Sequence, residues 1–138
     1  MQFGLIPYSP GIGGYIAEFC PGPNNGQRLS AQSVFMDGDA FEALVFVVES
    51  FSMKGPVTVE GAALGRLSED LEDTARRVSH AESPKAIWPY NASYGYTQFN
   101  SVRDWPAERQ DFTRMLLDLR AWVQELRDGG KALTIHHG

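Results

Sequence analysis

The pattern that most restricts the fold lies between Asp104 and Gly130. Phe112, Met115, Leu116, Leu119, Trp122, Val123 and Leu126 recur every three or four residues. On a helix of about 3.6 residues per turn they make one wide apolar face. Arg109, Asp111, Arg114, Asp118, Glu125 and Arg127 fall on the other side. Asp104 is placed as an N-cap acceptor, Pro106 suits the first turn, and Gly129-Gly130 stops the helix. This helix is expected to form the centre of the core.

A second stripe, Leu64, Leu67, Leu71, Ala75 and Val78, predicts a helix between about Val59 and Ala81. Gly61 and Gly65 weaken its first turns, so its solid part is expected from Ser68. Ser68-Glu69-Asp70 would then be an acidic first turn, with Arg76-Arg77 near the end, matching the macrodipole. Two patterns compete after Asp39. Asp39 and Glu42 read as a capping box, and Phe41, Leu44, Val45, Val48 and Phe51 keep helical spacing. Val45-Phe46-Val47-Val48 would equally suit a central strand, but the cap favours helix.

The remaining segments read as strands and turns. Phe3 to Tyr8 is a short apolar strand, and Tyr15 to Cys20 is another. Asn25-Gly26 signals a tight turn. Leu29, Ala31, Ser33 and Phe35 then alternate with Arg28, Ser30, Gln32 and Val34, so a hairpin is expected from Tyr15 to Phe35. Gly55-Pro56 breaks the chain. Tyr94 to Ser101 and Ala132 to His136 each predict one further strand. Together these elements predict an α+β fold over residues 1–138 as a single domain. Its antiparallel sheet would have about four strands, with two or three helices packed on one face.

A chain of 138 residues buries roughly two-thirds of its unfolded surface, enough for one core. The longest apolar run, Ala43 to Val48, is far short of the ~20 residues of a membrane span. Met1 to Pro7 has no basic region and no long apolar core, so no secretory signal is expected. Cys20 stands alone and forms no intrachain disulfide. A cytoplasmic location is the simplest expectation.

Acid is unevenly placed. Asp37, Asp39, Glu42, Glu49, Glu60, Glu69, Asp70, Glu72 and Asp73 share their stretch with only Lys54 and Arg66. That stretch carries −7 while the whole protein carries −5, so the rest is +2. Such a field repels phosphate backbones and favours a basic partner; nucleic acid is not an expected one.

Few residues suggest chemistry. Gly11-Ile12-Gly13-Gly14 lacks both the dinucleotide-binding spacing and the Lys-Ser/Thr of a phosphate loop, and reads as an ordinary loop. Cys20 reads as a small apolar residue at a strand end. His136 and His137 would point to opposite faces of one strand, so they are not a metal pair. Asp37 and Asp39 lack the further ligands of a Ca²⁺ loop. No catalytic, metal or cofactor residues are expected.

Two groups invite partner binding. Glu69, Asp70, Glu72 and Asp73 crowd the outward arc of one helix, where a solvated face is the plainer alternative. Trp88, Tyr90, Tyr94 and Tyr96 open an aromatic segment running to Trp105, which would serve either as an interface or as a lid on the core. The expectation is a small acidic binding protein, of the character of an immunity protein or antitoxin, with a basic toxin or enzyme as partner. One alternative is a small enzyme or ligand-binding domain using Tyr94, Tyr96, His80, Glu82 and Arg103. Another is a structural subunit of an oligomer or phage particle.

Overall fold

The computed structural model describes residues 3–45, 47–51, 55–88 and 104–137. The strands are β1 (Leu5–Pro7), β2 (Ile16–Pro21), β3 (Val34–Asp37), β4 (Val57–Val59) and β5 (Leu133–His137). The helices are α1 (Gly38–Val45), α2 (Ala62–His80) and α3 (Trp105–Asp128), with a 3₁₀ turn at Pro84–Ala86. The fold is α+β, and its five strands run in the order β1-β3-β2-β5-β4. Every neighbouring pair is antiparallel.

The sheet therefore has one strand more than the expected four. The addition is β4, whose three residues directly follow Gly55-Pro56. A strand this short shows almost no alternation, and Val59 reads equally well as the start of the next helix. The predicted strand Tyr94 to Ser101 lies outside the described residues.

Period-two geometry splits the sheet into two faces. Leu5, Ala17, Phe19, Met36, Val59, Leu133 and Ile135 fall on the inner face and join the core formed with the helices. Ile6, Glu18, Phe35, Thr134 and His136 fall on the outer face. Yet Glu18 and Phe35 are fully buried and Thr134 nearly so. The chain between β2 and β3 supplies cover there through Leu29, Ser30 and Ser33, and Tyr8 packs against Phe35.

The hairpin from Tyr15 to Phe35 forms, but its second strand is shorter than the alternation predicts. Residues 29–33 are not in the ladder. The amides of Leu29 and Ser30 donate to Glu18 at 2.8 and 2.9 Å, and the Ser33 amide donates to the Ser30 carbonyl. Those donors are spent before a strand can use them. Leu29 is also left-handed, with φ 59°, a conformation that breaks any strand and is rare for a branched side chain.

α1 is a helix, as the cap favoured, but it begins earlier. Asp37 caps it, accepting from the Asp39 amide at 2.8 Å. Asp39 was expected in that role. Glu42 does not reach back as a capping box requires; it accepts from the Tyr15 hydroxyl. The helix ends at Val45, where the amides of Val47 and Val48 both turn back to the Leu44 carbonyl. Val48 and Phe51 are buried from an irregular segment.

α2 begins at Ala62, ahead of the expected Ser68, so its acids lie in mid-helix and its first turn holds none. Gly65 lies within its first turn, where a side chain would crowd Arg127 of α3, 3.3 Å from the place a Cβ would take. The glycine lets two helices approach closely. α3 matches the sequence pattern. Asp104 accepts from the Ala107 amide, and the Lys131 amide bonds back to Leu126 past the left-handed Gly130.

Two tryptophans lock the helices. The Trp88 indole donates to the Ala43 carbonyl at 2.9 Å and stacks on Phe112. The Trp105 indole donates to the Ala81 carbonyl at 2.8 Å, just past α2. Opposite sides of α3 should respond differently to truncation. Leu119 is fully buried, while Leu117 is 44% exposed. Leu119→Ala should cost about 2–5 kcal/mol in chemical denaturation, and Leu117→Ala less than about 0.5 kcal/mol. Equal losses would contradict this packing.

Candidate functional site

The acidic stretch folds into a groove. After α1 the chain runs along α2 and is tied to it. Ser50 Oγ donates to Asp70 Oδ2 at 2.5 Å, and Arg77 and Thr74 both donate to the Val47 carbonyl. Between them lies a groove of about 420 Å³, lined by Val47, Glu49, Asp70, Asp73, Thr74, Arg76 and Arg77. Glu49, from the segment after α1, meets Asp70 and Asp73 of α2 here. Glu49 is exposed and makes no hydrogen bond or ion pair among the described residues.

The four acids singled out from the sequence have different surroundings. Glu69 and Asp73 are exposed, whereas Asp70 and Glu72 are half-buried. Arg76 bridges Glu72 at 3.5 Å and Asp73 at 3.1 Å, and Arg120 reaches Glu72 from α3 at 3.0 Å. Glu72 thus joins α2 to α3, and the outward arc is less uniformly free than expected. The sequence pattern missed Glu49, because nothing local shows that the segment after α1 folds back along α2.

The aromatic candidates separate. Trp88 is fully buried between α1 and α3. It is a core residue and offers no surface to a partner, contrary to its expected role. Its bulk and its low-polarity neighbours Ile87 and Ala86 suit burial equally well. Tyr90, Tyr94 and Tyr96 lie outside the described residues, as does Arg103. His80 and Glu82 are both exposed at the end of α2. Among the described residues, no group of three or more His, Cys, Asp or Glu side chains is placed to hold a metal ion. None of the described helices is long and apolar enough to cross a membrane.

Among the described residues two carboxylates are buried: Glu18, which the sequence reading passed over, and Glu42, which it placed in a capping box. Glu18 on β2 accepts from the Leu29 and Ser30 amides and from Ser33 Oγ at 2.6 Å, and it faces His136 across the β2–β5 pair. Burial pushes its carboxyl up, but Ser33, the two amides and His136 outweigh burial and hold it below the usual range. Glu42 is 7% exposed and its Oε2 has no hydrogen-bond partner; its other oxygen holds Tyr15. The Tyr15 ring covers Gly38 so closely that a Cβ would lie 2.4 Å from it. Its edge meets the His137 ring at 5.4 Å.

Both histidines of β5 are harder to protonate than usual. Burial lowers His136, opposed by Glu18 and aided by Arg28; burial lowers His137, opposed by Glu42. A charged residue between Ala17 and Phe19 in a strand was the available signal for Glu18, since fully buried carboxylates are paired. Its partners, eleven to fifteen residues onward, follow no local pattern.

Comparison with protein-family models, curated proteins and solved structures finds no match to this chain.

The pH dependence follows from these directions. His136 and His137 are depressed below their unfolded value, so their contribution is complete above about pH 6.5 and is lost as pH falls through the folded values. Glu18 is also depressed. Its contribution is complete above about pH 4.5 and is lost as pH falls through its folded value. Urea midpoints should therefore decline in two stages on acidification. Glu18→Gln should cost about 3 kcal/mol at pH 7, since an amide nitrogen then faces donors, and should remove the lower stage. A Glu18→Gln profile that keeps the lower stage would overturn this assignment.

Proposed function

We propose that this is a small binding protein that docks a basic protein partner through its acidic groove, as an immunity or antitoxin-like inhibitor does. The supporting observation is the convergence of Glu49, Asp70 and Asp73 on one concave surface. Arg76 and Arg77, which also line it, are engaged with Glu72 and Asp73 and with the Val47 carbonyl. The groove has room for a lysine or arginine side chain from a partner, and Glu49 stands ready to pair with it. Carboxylates at the surface accelerate encounter with a basic protein, and the contacts formed afterwards decide lifetime. A basic cleft of a nuclease or similar toxin has the complementary charge, and a cytoplasmic setting would suit such an inhibitor.

The test is affinity capture from native extract at low and high salt, run beside a Glu49→Gln/Asp70→Asn/Asp73→Asn variant, with association rates measured for any protein recovered. A basic protein captured at low salt should associate about tenfold more slowly with the variant, with a flatter salt dependence. Association that ignores both salt and the three substitutions would exclude this groove as the docking surface.

A further inference from the structure

A second groove, of about 280 Å³, lies where the chain between β2 and β3 meets the end of β5. It is lined by Asn24, Gly26, Arg28, Pro56, His136 and His137. Its chemistry is the reverse of the acidic groove, because among the described residues no carboxylate lines it. Arg28 is exposed and makes no hydrogen bond or ion pair among the described residues. Asn24 Oδ1 accepts from the Gly26 amide at 3.0 Å, which leaves its NH₂ group to face outward as a donor. His136 is only 7% exposed, yet its side chain makes no hydrogen bond among the described residues. The buried ring nitrogen without a partner at this wall is Nε2 of His137, whereas the unpaired nitrogens of His136 are not fully buried and can meet a ligand in the groove.

Glu18 is fully buried beside His136, with three donors of the β2–β3 connection spent on it. It therefore does not compete for the groove, while its charge favours a proton on His136. The polar side chains facing the groove are donors, and a set of donors that includes a guanidinium and an imidazole recognises an oxyanion. Its volume suits a small group and excludes a folded polymer.

We propose that this groove binds a phosphate group, free or as a small phosphomonoester, with Arg28, Asn24 and His136 as its donors. Arg28 supplies two parallel N–H groups to two oxygens, and His136 donates from the wall. The charged groups facing His136 are then Glu18 behind it, Arg28 beside it and the anion in front.

The test follows the imidazole signals by NMR during titration with inorganic phosphate at constant ionic strength, with chloride as the control anion. A parallel titration uses glycerol phosphate. Phosphate should shift the His136 signals saturably and raise its titration midpoint by about one unit. Arg28→Gln lies on an exposed loop and should leave the fold intact while weakening binding at least tenfold. Glycerol phosphate binding as well as phosphate would assign the site to monoesters, and its exclusion would restrict the site to the free ion. A response that does not saturate, that chloride reproduces or that Arg28→Gln leaves unchanged would overturn the proposal.

Discussion

The molecule depends on the burial of α2 and α3 against each other and against the inner face of the sheet. Leu64, Leu67, Leu71 and Val78 of α2 share one core with Phe112, Met115, Leu116, Leu119 and Val123 of α3. Apolar burial on this scale is the dominant favourable term in folding. It is also what places the functional surfaces. Asp70, Asp73 and Glu49 meet because α2 turns its inner stripe to the core and its outer side to the segment that follows α1. The indoles of Trp88 and Trp105 complete the arrangement by donating to the carbonyls of Ala43 and Ala81, the latter shared with Arg109.

The outer face of the sheet is governed by a different force. Among the described residues, the cover there is an irregular chain held by one carboxylate. Glu18 replaces lost hydration with hydrogen bonds from Leu29, Ser30 and Ser33. Leu29 accepts a left-handed backbone as part of this arrangement. The two faces differ in sign as well as in cover: the acidic groove lies against α2, and the donor-lined groove borders the β2–β3 connection.

What was legible in the sequence is what periodicity and end signals encode. α3 has a wide stripe, an Asp104 cap and a Gly-Gly stop, and all three appear in the structure. Its partner α2 shows its stripe clearly but hides its start, since Gly61 and Gly65 resemble breakers until the close approach of Arg127 is seen. β4 was illegible because three residues carry no period. The strand predicted through Leu29 failed because Glu18, eleven residues away, took the amide it needed. The candidate acids were visible as a charge cluster, but their division between the groove and the Arg120 bridge depends on tertiary packing. Trp88 illustrates the same limit: composition does not distinguish an aromatic anchor for a partner from one for the core.

β5 comes after every other strand in the chain, yet it lies between β2 and β4. During synthesis β2 and β3 are able to pair early, whereas β4 has no neighbour until residues 133–137 emerge. Until then the inner edge of β2 is an unpaired strand edge, open to other chains. Until β5 takes its place, the sheet beneath α2 and α3 has a gap between β2 and β4. Contacts closing that gap span more than a hundred residues between Ala17 and His137, a separation that slows folding. The histidines of β5 arrive with the strand that completes the sheet, so the donor-lined groove comes into being only when the fold does.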